Sequence, residues 1–74
     1  MSGKVYVAHV EWHTYESDFY GVFSTAKKAK AIFPEVLHWE HSVENGKTAW
    51  VAEGQNKDYV IIKTKIDDVI GYLS

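Results

Sequence analysis

The chain of 74 residues contains no cysteine, which excludes a disulfide framework and any thiolate metal site. A domain this short hides only about 60 to 65% of its unfolded surface on folding, so without such staples it must be held by packing or by self-association. The missing cysteines also fit a cytoplasmic setting. Neither sign of charge is in large excess: the formal net charge is -2, which argues against a strongly basic nucleic-acid binder and equally against an acidic mimic of DNA. Apolar runs are short, none approaching the roughly 20 residues of a membrane span, and Met1 to Lys4 leads straight into a strand pattern rather than a signal peptide. Catalytic signatures are missing too, with no Gly-x-Ser-x-Gly elbow, phosphate loop or dinucleotide fingerprint. The adjacent acids Asp67 and Asp68 precede an apolar stretch, as helix-start residues do, and receive no catalytic role. The expectation is a protein without enzymatic activity and without a cofactor.

What is present is mainly aromatic and aliphatic. Hydrophobic residues make up 46% and aromatics 15% of the chain, enough to build a core rather than a disordered segment. Lys4 to His13 alternates Tyr6, Ala8, Val10 and Trp12 with Val5, Val7, His9, Glu11 and His13, the period of a strand. Thr14 to Asp18 reads as a hairpin loop into a second strand, Phe19 to Phe23, with Gly21 at its middle. Ser24 or Thr25 offers an N-cap, after which Ala26, Ala29 and Ile32 or Phe33 recur at helical spacing. The alanines would let that short helix lie close to a sheet, and Pro34, the single proline, disfavours helix at Phe33 and should stop it there.

The segment after Pro34 has two readings, a new turn of helix or a strand from Val36 to Glu44. Asn45-Gly46, the signature of a type I′ turn, selects the strand. A two-residue turn pairs Glu44 with Lys47, Val43 with Thr48, His41 with Trp50 and Trp39 with Ala52, placing Leu37 and both tryptophans on one face. Gly54 to Lys57 is a further turn, Asp58 to Ile66 a last, half-exposed strand, and Asp67 to Leu73 a short turn or frayed helix. The predicted fold is a single α+β domain spanning residues 1–74, with one antiparallel sheet of about five strands in the order β-β-α-β-β-β and one short helix on one face. Such a helix cannot cover the sheet, so aromatic surface stays open or is covered by another copy, which implies a homo-oligomer.

The runs GVFST, KKAKAI, LHWE, AWVAEG and YVIIKTKID resemble a loosely defined group of small bacterial and phage proteins. These share a strand ending in Gly-Val-Phe/Tyr-Ser/Thr, an Ala-containing helix and a later Trp-bearing hairpin. The resemblance implies the same order of elements and a phage or mobile-element origin, but it carries no known activity and transfers no functional residue. Together with the small size of the chain it gives the expectation of an accessory protein, acting in the host cytoplasm, that modulates or inhibits a host protein.

Three classes of site compete. All four histidines fall in HVEWH (9–13) and HWEH (38–41). Glu11 could share an ion with His9 or His13 on one strand face, and if the first and third strands were neighbours, His9 or His13 could meet His38 and Glu40 as metal ligands. The competing reading is a solvated polar face in which these groups hold no ion, with His41 packed beside Trp50. Lys27, Lys28 and Lys30 could face phosphates, with an exposed aromatic as a stacking platform, although a charged helix face is ordinarily only solvated. The favoured reading is a module that binds another protein through surface aromatics, or through an unpaired edge such as Asp58 to Ile66. Its candidate contacts are Tyr15, Tyr20 and Tyr59, flanked by His9, His13 and His38.

Overall fold

The computed structural model describes residues 3–66; the expected turn or frayed helix at Asp67 to Leu73 lies outside them. Five strands and one helix follow in the order β1 (Lys4–Trp12), β2 (Ser17–Phe23), α1 (Ala26–Ala31), β3 (Glu40–Glu44), β4 (Lys47–Glu53) and β5 (Lys57–Lys65). The strands form one antiparallel sheet with the spatial order β2-β1-β5-β4-β3, the α+β architecture expected. Hairpins account for three of the four strand neighbours, and the fourth, β1 with β5, joins the two ends of the described chain through nine paired positions from Lys4↔Lys65 to Trp12↔Lys57.

That long pairing corrects one expectation. β5 is not a half-exposed strand with a free edge but the middle of the sheet, paired with β1 on one side and β4 on the other. Its residues explain why: Tyr59 and Ile61 face the helix, Val60 and Ile62 the opposite side, and a strand apolar on both faces belongs where both are covered by neighbours. Tyr59, Val60 and Ile61 are all buried. The sheet edges are instead β2 and β3.

The core lies between the sheet and α1. Ala8 and Val10 of β1, Ala52 of β4 and Tyr59 and Ile61 of β5 meet Ala29 and Phe33. Ala8 and Ala29 are fully buried, so small side chains on both elements let the helix axis approach the sheet. The Thr25 hydroxyl caps the helix by accepting the Lys28 backbone N–H at 3.1 Å, and Ile32 closes it at the other end. A bulge in β2 places Tyr20 as an extra residue between the pairs Gly21↔Ala8 and Phe19↔His9, and its ring lies 5.1 Å from that of Phe33.

The β3–β4 hairpin follows the expected register from Glu44↔Lys47 to His41↔Trp50, and Asn45 (φ 51°) and Gly46 (φ 78°) take the left-handed conformations that a type I′ turn requires. β3 begins only at Glu40, however. Beyond Phe33 the chain makes a turn in which the Val36 N–H donates to the Phe33 carbonyl at 3.0 Å, and Val36 to Trp39 descend from the helix layer to the sheet edge without joining it. Leu37, expected to pack beside the tryptophans, is 95% exposed as a result. Trp39 still reaches the core, with ring centroids 6.1 Å from Phe33 and 6.4 Å from Tyr59.

Candidate protein-binding site

At one end of the sheet the β1–β2 and β4–β5 loops lie side by side, tied by the His13 N–H donating to the Asn56 carbonyl at 3.0 Å. The β1–β2 loop is a three-residue connection, His13 to Tyr15. The Tyr15 N–H donates back to the Trp12 carbonyl at 3.0 Å, and the Trp12 N–H donates to the Glu16 carbonyl at 2.7 Å. Loops of this kind place their last residue in the left-handed region, where glycine is the ordinary occupant. Here that residue is a tyrosine, with φ 72° and its side chain fully in solvent at 101% exposure. The left-handed conformation costs a side-chain-bearing residue about 1 to 2 kcal/mol. No ring contact or side-chain hydrogen bond of Tyr15 offsets it among the described residues.

Behind this loop the charges are of one sign. Glu53, Asp58 and Glu11 are direct cross-strand partners on β4, β5 and β1, three consecutive carboxylates on the face away from the helix. Like charges placed opposite one another in this way destabilise a sheet by a few tenths of a kcal/mol or more per pair. Two histidines contact the row: His13 Nε2 lies 3.1 Å from Asp58 Oδ1, and His9 Nε2 3.3 Å from Glu11 Oε2. The Trp12 indole donates to Asp18 Oδ2 at 2.7 Å, and Lys57 Nζ stands 4.9 Å above its ring. A shallow cleft of about 370 Å³ beside the loop is lined by Glu11, Trp12, His13, Tyr15, Glu16 and Asp58.

The sequence candidates separate into three groups. Tyr15 and His13 belong to this exposed end. Tyr20, 48% exposed, lies on the helix face of the bulge, and His38 is exposed on the segment leading to β3. Tyr59 and His9 are unavailable for contact because both are buried. The Tyr59 phenol donates to Glu35 Oε2 at 3.0 Å beneath Phe33 and Trp39. Burial, then that hydrogen bond, raises the Tyr59 pKa; Glu35 is held below the usual carboxylate range by its own backbone hydrogen bond and then by the phenol. His9 Nδ1 has no hydrogen-bond partner among the described residues, and leaving such a buried group unsatisfied costs about 1 to 3 kcal/mol.

The four residues considered as metal ligands are not brought together. Glu40, Val51, Val60 and His9 form one row across the sheet, so His9 and Glu40 are three strand spacings apart, about 14 Å. The condition for that site, adjacency of the first and third strands, is not met, and no group of three or more ligand-type side chains could hold an ion among the described residues. On the helix, Lys28 Nζ donates to Ser24 Oγ at 3.3 Å and Lys30 Nζ lies 5.4 Å over the Trp50 ring, so the three lysines do not form one open patch. Sequence reasoning missed the acid row, because Glu11 joins the Glu53–Asp58 pair of the β4–β5 hairpin only through the β1–β5 pairing.

No helix among the described residues is long and apolar enough to cross a membrane. No protein-family model matches the chain, and no curated protein or solved structure does so.

Proposed function

We propose that this is a non-enzymatic protein-binding module whose anchor is Tyr15 and whose partner presents basic side chains to the acid row behind it. One observation carries the reading: a fully exposed aromatic held in a left-handed conformation that glycine would adopt without cost. Strain of this kind, uncompensated within the fold, is what a binding residue leaves behind when contact rather than stability determines its identity. Tyrosine suits an anchor because it buries a large area at small entropic cost. Lysine or arginine on the partner would complement Glu11, Glu16 and Asp58 and could reach the ring faces of Trp12 and Tyr15. The resemblance to small phage and bacterial proteins adds a setting, an accessory protein that occupies a surface of a host protein.

Capture from bacterial lysate with the immobilised protein, run beside Tyr15→Gly, tests the proposal. A protein retained by the parent and lost by the variant is the expected result, with retention weakening as salt rises. Identical retention by the two forms would contradict it.

A further inference from the structure

At the opposite end of the sheet the charge is reversed. Lys4 of β1 and Lys65 of β5 are direct cross-strand partners, and Lys63 pairs with Tyr6 one step further in. With Lys47, at the start of β4, these four lysines line a cleft of about 460 Å³ whose remaining wall is the Asn45–Gly46 turn, Thr48 and Thr64. Among the described residues no carboxylate forms an ion pair with Lys4, Lys63 or Lys65. Nothing in the fold requires this arrangement, and the Lys4–Lys65 pair is repulsive. On the face shared by Lys63, the Tyr6 and Trp50 rings lie 5.7 Å apart, both only partly buried, with Lys30 Nζ 5.4 Å over the Trp50 ring.

We infer that this cleft binds single-stranded nucleic acid, its lysines holding successive phosphates while Tyr6 and Trp50 offer a surface to a base. Lys4, Lys63 and Lys65, three cations with no carboxylate partner at the ends of β1 and β5, match a polyanion. The aromatic pair beside them separates nucleic acid from an acidic peptide, because every base has a face to stack. The cleft volume is of the order of a small-molecule or nucleotide site and too small to seat a duplex. The site lies at the far end of β1 and β5 from Tyr15, so it is independent of the protein-binding proposal, and together they would make the molecule a bridge between a protein and a nucleic acid.

The test is fluorescence anisotropy with a labelled oligothymidylate of about a dozen nucleotides, on the full chain. Binding at low salt is expected, and engagement of three phosphates would weaken it about 20-fold between 50 and 200 mM salt. The double variant Lys4→Gln/Lys65→Gln should lose at least about tenfold in affinity while keeping its thermal midpoint, since it removes a repulsive pair; Lys57→Gln, at the other end, and Tyr15→Gly should bind as the parent does. Tyr6→Leu, verified as folded, should weaken oligonucleotide binding without altering competition by inorganic phosphate. The inference is overturned by no binding at low salt, by equal losses in Lys57→Gln and the cleft variant, or by an acidic polypeptide binding more tightly than the oligonucleotide.

Discussion

At Tyr59 the phenol donates to Glu35, and each group moves the titration of the other. The lowered Glu35 pKa means that its contribution to stability is present above the ordinary carboxylate range and is lost in acid, as pH falls through the lowered value. The raised Tyr59 pKa means a contribution present below the ordinary phenol range and lost in alkali, as pH rises through the raised value. Tyr59→Phe should therefore remove the alkaline limb due to this group and shallow the acid limb only in part, because the Glu35 backbone hydrogen bond remains, as measured by urea unfolding across pH. The role of Tyr59 was not legible in the sequence because β5 is apolar on both faces, Tyr59 and Ile61 on one and Val60 and Ile62 on the other, and alternation alone does not say which face meets the core. Tyr15 is the reverse case: its place in a hairpin loop was legible from TYESD between two strand patterns, but its left-handed backbone was not. That conformation depends on a three-residue loop, His13 to Tyr15, whereas the sequence pattern reads as a five-residue loop, Thr14 to Asp18.

Among the elements, the β3–β4 hairpin and the helix were readable because their signals are local: Asn45-Gly46 fixes one register, and Thr25 with Ala26 and Ala29 fixes the start and inner face of the other. Strand order was not, since the β1–β5 pairing joins residues about as far apart as the described chain allows and has no signature in either segment. The same gap explains why a metal site between β1 and β3 could be entertained at all. The central position of β5 has a direct consequence. Ile61→Ala should destabilise the fold by about 2 to 5 kcal/mol, because Ile61 is fully buried between its neighbours. Leu37→Ala should change stability by no more than about 0.5 kcal/mol, because that side chain is in solvent. Equal effects of the two substitutions in denaturant unfolding would reverse the assignment of core and surface. Removing the helix cap with Thr25→Ala should cost about 1 kcal/mol.

For the whole molecule, the net charge of -2 conceals a separation. Carboxylates of Glu11, Glu53 and Asp58 adjoin at one end of the central strands, and Lys4, Lys63 and Lys65 at the other. Composition counts charges without placing them, so a chain whose balance argues against nucleic acid can still carry a basic cleft. Both ends hold like charges at cross-strand distance, and salt screens that repulsion with a Debye length of about 10 Å at 0.1 M, shortening to about 3 Å at 1 M. The thermal midpoint should accordingly rise with added salt, and a midpoint that falls would mean that attractive pairs dominate instead.

The reading of the hairpin end as a binding surface depends on one thermodynamic claim, that Tyr15 is held at the expense of the fold and for the sake of a contact. Urea unfolding of the parent and of Tyr15→Gly measures it without knowledge of the partner. The variant should be the more stable by about 1 kcal/mol, with a higher midpoint and an unchanged slope, because glycine takes the left-handed conformation without strain. A variant less stable than the parent would show that Tyr15 supports the fold it projects from, and would contradict its role as an anchor for another protein.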